Sequence, residues 1–286
     1  MSSNKHKYAS TKAKNKRKKK AIPLTAKTAD RHLLYENSVQ AVDAEIDFVD
    51  ATYTATRGRD AKFLREDFCG TGNTSCEWVR RRRDNYAVGV DLDEDVMDWG
   101  RERHVVGLSD SEQERIALIK ADVTTVRTPP QDIVLAMNFS YWVFKKRSGL
   151  RDYFAMVRDS LGADGMFVLD CYGGYDAFRE MKESTKYDDY TYVWDQAAYN
   201  PVSGEMLCHI HFKFKDGTRL KKAFTYDWRL WTLPELREIL SEAGFSKVTT
   251  YWQGWNEDET EANGEFTAVE TADADAGWIS YVVADR

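Results

Sequence analysis

The residues whose types and spacing can do chemistry begin in Phe63-Leu-Arg-Glu-Asp-Phe-Cys-Gly-Thr-Gly72, where an apolar run meets two closely spaced glycines. Gly70 and Gly72 permit a tight turn and a close approach of backbone to a ligand. A helix starting immediately after them would aim free N–H groups at it. Asp91 ends the next apolar run, Val88-Gly-Val-Asp91. A carboxylate there can accept both hydroxyls of a ribose. Asp122 stands where a third run ends, in Lys120-Ala-Asp122, and can accept from an adenine amino group. One glycine pair says little, but three suitable residue types at three successive strand ends describe a nucleoside site. A nicotinamide dinucleotide enzyme would want Gly-x-Gly-x-x-Gly, and Ser75 occupies the third glycine position.

The elements that must position these residues can be read from periodicity. Lys62–Phe68, Tyr86–Asp91, Ile116–Ala121, Asp132–Met137 and Gly165–Cys171 read as strands, alternating with helices over Asn73–Arg83, Asp95–Val105 and Leu150–Leu161. Such alternation implies parallel strands, right-handed crossovers and helices on both faces. The basic run Arg80–Arg83 complements a helix C-terminus. After Cys171 the pattern changes. Tyr190–Gln196, Leu207–Phe214 and Arg219–Tyr226 alternate as strands do, the last two around an Asp216-Gly217 hairpin signal. Thr232-Leu-Pro-Glu235 has the form of a capping box, and Val248–Trp252 and Trp278–Val283 read as closing strands. The acidic stretch Glu257–Asp275 between them reads as a loop. Helical spacing from Asp30 to about Thr56 predicts one or two helices, in which Tyr35 and Gln40 could form a lid.

Taken together, these residues resemble the class I S-adenosylmethionine-dependent methyltransferases over roughly residues 60–170 plus the two closing strands. Cys69-Gly-Thr-Gly72 matches the core of that family's glycine-rich motif, Asp91 its ribose-binding acid and Asp122 its adenine-contacting acid. Asn138 lies where its fourth motif ends. The resemblance implies a Rossmann-like α/β fold: a seven-stranded, mainly parallel sheet with flanking helices, here with an antiparallel β insertion. It implies S-adenosylmethionine as cofactor. Cys69, Gly70, Thr71 and Gly72 would pass close to its methionine part, and Leu92 and Val123 would flank its adenine. One departure concerns the first motif, where Glu66 holds the acid position but Phe68 replaces a glycine. Arg65 or Asp67 would then contact the methionine carboxylate or amine.

The expected division is a basic tail over 1–24, a helical lid over 25–60, a cofactor-binding core over 61–171, an antiparallel substrate insertion over 172–230, and the rest of the core over 231–286. Asn138 and Tyr141, after the fourth strand, are the expected catalytic residues, because their loop should line the cleft beside the transferring methyl, with the alternative that Tyr141 and Trp142 are packing residues. Tyr226, Arg229 and Trp231 are the expected acceptor wall, with the alternative that they pack a junction. His209 and His211 share a strand face but lack a third metal ligand, so no metal is expected.

Composition bounds the function. Of 286 residues, 42% are hydrophobic and 31% charged, as in globular proteins with full cores. No run approaches the roughly 18 apolar residues of a membrane helix. Four scattered cysteines suit a reducing, cytoplasmic setting. Residues 1–20 hold nine Lys/Arg and no acid, against 32 basic and 47 acidic residues in the remainder. That arm can attract a polyanion such as RNA through residues 5–20, serve as a nuclear import signal in a nucleated cell, or only solubilise. The acidic body and the enclosing insertion favour a small-molecule acceptor. An RNA- or protein-directed methyltransferase and a non-catalytic cofactor-binding scaffold are the alternatives.

Overall fold

The computed structural model describes residues 24–256 and 262–286, so the expected basic arm lies outside the described residues. Two helices open the described chain, α1 (Arg31–Val39) and α2 (Val42–Arg57). Asp30 caps α1 by accepting from the N–H groups of His32 and Leu33, and Gly58 closes α2 in the left-handed conformation. The core then runs β1 (Phe63–Asp67), α3 (Asn73–Arg81), β2 (Tyr86–Asp91), α4 (Glu94–Arg103), α5 (Asp110–Gln113), β3 (Ile116–Lys120), β4 (Gln131–Ala136), α6 (Arg147–Ser160) and β5 (Leu161–Gly173). The insertion contributes β6 (Met181–Lys186), β7 (Tyr190–Tyr199), β8 (Glu205–Phe214) and β9 (Arg219–Arg229). The chain ends with α7 (Leu233–Glu242), β10 (Lys247–Trp255), β11 (Ala262–Val269) and β12 (Trp278–Asp285). Thr232 and Glu235 form the anticipated capping box at α7.

The main sheet has the order β11-β10-β12-β5-β4-β1-β2-β3. β1 to β5 pair in parallel, while β12 runs antiparallel to both β5 and β10. Among the described residues the sheet has eight strands rather than the seven expected. The extra one is β11, which pairs antiparallel with β10 inside the segment expected to be a loop. As an edge strand, Ala262-Asn-Gly-Glu-Phe-Thr-Ala-Val269 carries polar and small residues on both faces and so little apolar alternation. The insertion is a separate four-stranded antiparallel sheet, β6-β7-β8-β9. Its first strand went unread because Met181-Lys-Glu-Ser-Thr-Lys186 is almost wholly polar.

One face of the main sheet is packed by α6 and α7 through Tyr153, Phe154, Val157, Leu236 and Ile239. The other is packed by α2 and α3 through Ile46, Val49, Tyr53, Trp78 and Val79. Arg81 and Arg82 of the basic run join α3 to α2, through Asp47 at 2.8 Å and Asp50 at 2.6 Å. The chain reverses its strand order between β1 and β4. At that switch point the loops leaving the two strands diverge and open a crevice.

Candidate active site

The loop leaving β1 toward the crevice is built on left-handed backbone. Phe68, Gly70 and Gly72 have φ of 59°, 52° and 68°. Glycine takes that conformation freely, whereas a phenylalanine costs about 1–3 kcal/mol. Phe68 is held there by its ring, which sits edge-on to Phe144 and Tyr153 in the core beneath α6. The ring therefore packs inward. The Gly72 N–H donates to the Cys69 carbonyl at 2.8 Å and closes the turn. A side chain on Gly70 would meet only Val96, at 3.9 Å, so that face of the loop is open.

Asp91 fixes this loop to β2. Its carboxylate accepts the Gly70 N–H at 2.8 Å and the Asp93 N–H at 2.9 Å. Asp91 is half-buried, and a carboxylate has about four acceptor positions, which leaves capacity for ligand hydroxyls. Beside it lies a cleft of about 440 Å³ lined by Leu92, Asp93, Glu94, Asp95 and Lys120. Leu92 is 66% exposed there. Asp122 is also exposed, and Val123 is buried. Thr124 donates its N–H and hydroxyl to Asp122, at 2.8 and 2.6 Å, and so holds that carboxyl below its ordinary range.

Five expected site residues, Arg65, Glu66, Asp67, Cys69 and Thr71, are held by contacts within the fold. Arg65 and Asp67 are 1% exposed and face each other. Nη2 donates to one carboxylate oxygen at 3.0 Å, and Nε lies 2.9 Å from the other without hydrogen-bond alignment. Tyr153 donates to the same carboxylate at 2.9 Å. The pair is a core element and does not reach the crevice. Glu66 projects to the opposite face and accepts from the N–H and hydroxyl of Ser75 at 2.9 and 2.6 Å, tying β1 to the first turn of α3. Thr71 donates to Glu36 of α1 at 2.6 Å, and Glu36 also shares a 2.7 Å hydrogen bond with His104. With Asn73 donating to Gln40 at 3.2 Å, these contacts lay α1 against the glycine loop. Cys69 is buried against β2.

The loop after β4 carries the next correction. Asn138 and Phe139 both have φ of 57°, and their N–H groups donate to the Asp170 carboxylate at 2.8 and 2.9 Å. Two successive strained residues are thus clasped by one acid from β5. Asn138 stays half-buried at the strand end. Tyr141 is fully buried, and its hydroxyl donates to the Asp170 carbonyl at 2.7 Å, so the expected catalytic tyrosine is a core residue. Tyr141→Phe should cost about 1 kcal/mol of stability and leave nucleoside affinity unchanged in calorimetry. A tenfold loss of affinity would return it to the site.

The expected acceptor wall divides. Trp231 is fully buried and donates to the Phe144 carbonyl at 3.1 Å. The Arg229 guanidinium stacks 3.7 Å above the Trp231 ring and pairs with Glu235 at 3.1 Å. Both belong to a packed junction. Tyr226 is different: it stacks on Trp228 with centroids 4.3 Å apart, lies 6.0 Å from Trp194, and hydrogen-bonds to Tyr35 of α1. Phe139, Tyr172, Trp194 and Tyr226 all stay half-buried. They form an aromatic wall between the β4 loop and the insertion. His209 pairs with Thr225, and His211 with Asp195. No metal-binding cluster occurs among the described residues.

Three acids that sequence reasoning gave no binding or catalytic role beyond Glu66 line the same end of the sheet: Glu45, Glu66 and Asp170. Each is pushed up to about 7, chiefly by burial. The available signal was an acid inside an otherwise apolar periodic element, as in Met166–Cys171, because burying an unpaired carboxylate is costly.

The chain matches no protein-family model and no curated protein sequence. Solved structures do resemble it. An S-adenosylmethionine-dependent methyltransferase from Clostridium acetobutylicum gives a TM-score of 0.64 at 14% identity, covering 88% of this chain and 96% of its own. DesVI of Streptomyces venezuelae gives 0.63 at 16% identity, with coverages of 88% and 95%. The amino pentose methyltransferase CalS10 of Micromonospora echinaspora, solved with S-adenosylmethionine bound, gives 0.60 at 15% identity, with coverages of 89% and 95%. Strand order, the antiparallel β12 beside β5 and these likenesses agree: the chain has the class I S-adenosylmethionine-dependent methyltransferase fold.

Proposed function

We propose that this protein transfers the methyl group of S-adenosylmethionine to a small-molecule acceptor. The observation that carries the reading is the pairing of Asp91 with the glycine loop at the switch point, where the left-handed Gly70 leaves an open face and a half-buried carboxylate lies beside it. The residues fit a nucleoside with a charged tail. Asp91 would hold the ribose hydroxyls, and Gly70 and Gly72 would border the methionine arm. Leu92, beside the 440 Å³ cleft, would lie against the adenine. The cofactor, when bound, supplies a methyl on a positively charged sulfur.

The chain's own contribution is alignment and exclusion of water, which supply much of the rate in such transfers. Asp170 locks the Asn138–Phe139 turn beside the place where acceptor and donor meet. The aromatic wall, closed over by the insertion and α1, keeps the space dry and suits a developing cation. Enclosure of this kind favours a small acceptor. The same direction is supported by the likeness to proteins described as amino pentose, sugar and glycopeptide N-methyltransferases. Binding of RNA through the basic arm concerns residues outside those described.

Asp91→Ala tests the reading. Affinity for S-adenosylhomocysteine should fall about 10- to 100-fold by calorimetry, the loss of a charged hydrogen-bond partner. A wild-type protein that gives no heat with this ligand would end the assignment.

A further inference from the structure

On the cofactor reading just given, we infer that Glu45 of α2 is a binding residue for the α-ammonium of the cofactor's methionine arm, acting with Glu66 and Asp170 as one anionic pocket. The argument begins with alternation along the strands. In β5, Phe167, Leu169 and Cys171 pack toward α6, while Met166 and Val168 pack toward α2. Asp170 therefore projects on the α2 face, and so does Glu66, next to Leu64 in register on β1. Only β4 separates β1 from β5, which places the two acids roughly 10 Å apart in strand spacing, flanking the switch point. α2 covers this face through Ile46, Val49 and Tyr53, and Glu45 is the residue beside Ile46.

Glu45 is 6% exposed. Among the described residues, one carboxylate oxygen accepts from the Ala41 N–H alone, at 3.3 Å, and the other is buried with no hydrogen-bond partner. None of Glu45, Glu66 and Asp170 takes part in a salt bridge among the described residues. Buried carboxylates are ordinarily paired or neutralised. Glu45 acts electrostatically on Glu66, on Asp170 and on the Tyr35 phenol. Three acids without a counter-ion among the described residues, one presenting an unused oxygen, form a site for an added cation. The cofactor's tail carries such a cation next to the glycine loop, which Glu66 approaches one residue before the end of β1.

The test compares two nucleosides. S-adenosylhomocysteine carries the α-ammonium, and 5′-methylthioadenosine lacks the amino-acid tail and is neutral. Glu45→Gln should weaken S-adenosylhomocysteine about tenfold or more and change 5′-methylthioadenosine less than twofold. Because the three acids titrate near pH 7 and Tyr35 does not, binding of the ammonium should release protons at pH 7. Calorimetry in buffers of different ionisation enthalpy should show that release in the wild type, less of it in Glu45→Gln, and none with 5′-methylthioadenosine. Glu45→Asp should recover part of the affinity. Equal loss for both nucleosides, or no loss for either, overturns the assignment. Failure of the wild type to bind both would instead remove the cofactor reading on which it rests.

Discussion

Replacing Gly100 by alanine should lower the melting temperature by roughly 6–10 °C, about 3 kcal/mol or more, and should weaken S-adenosylhomocysteine at least tenfold. The cause is a backbone collision. A Cβ on Gly100 would lie 1.9 Å from the Thr71 carbonyl oxygen and 2.6 Å from its carbon. Neither atom belongs to a flexible side chain, so α4 has to withdraw from the glycine loop. Withdrawal strains further contacts that α4 helps to hold, among them Trp99 with Asp30 at 2.8 Å and His104 with Glu36. Thr71 shares Glu36, so the loop moves with the helix. Gly149→Ala is the control, because nothing lies within 4 Å of its Cβ position in α6 and alanine favours helix. A Gly100→Ala protein melting within about 2 °C of the wild type would contradict the collision.

The second large effect is expected at Arg65. Arg65→Leu strands the Asp67 carboxylate in the core with Tyr153 as its remaining partner. Breaking a buried pair from one side costs about 3–5 kcal/mol. The loss should depend on pH with a definite sign. Burial already raises Asp67, and Arg65 is the strongest influence pulling it back. Without Arg65 the folded-state value rises further above the unfolded one. Such a group adds stability below its unfolded value and loses it as pH climbs through its folded value. Urea unfolding should accordingly show a larger deficit at pH 8 than at pH 5. Adding Asp67→Asn should restore most of the stability at pH 8. A pH-independent deficit would mean that the cost is packing rather than charge.

Much of the fold was legible because parallel strands buried on both faces leave continuous apolar runs, such as Ala87–Val90 and Ile133–Ala136. Helix starts were legible where local chemistry marks them, as at Thr232 and Glu235. β6 and β11 escaped because edge strands carry little apolar signal. The glycine loop and Asp91 could be named from spacing alone, since the backbone demands glycine and the strand end demands an acid. Direction was what spacing could not supply. Arg65 and Asp67 point from β1 to the face opposite Glu66, and the bond from Tyr153 to Asp67 depends on α6, 86 residues away in sequence. Tyr141 was misread for the same reason: its burial is decided by the Asp170 carbonyl across the sheet. Asp170 and Glu45 needed the assembled fold, because one is defined by the backbone turn it clasps and the other by an oxygen left without a partner among the described residues.

The position of α1 bears on how the molecule comes apart. Leu34 packs with Ile210, Phe212 and Phe214 of the insertion, while Glu36 on the same short helix and Gln40 at its C-terminal cap hold Thr71 and Asn73 at the glycine loop. A nine-residue helix this short has little stability of its own in water. It persists only while both sheets are formed, and each sheet leans on it in turn. Heating should therefore melt the main sheet and the insertion in a single calorimetric transition, with no surviving fragment.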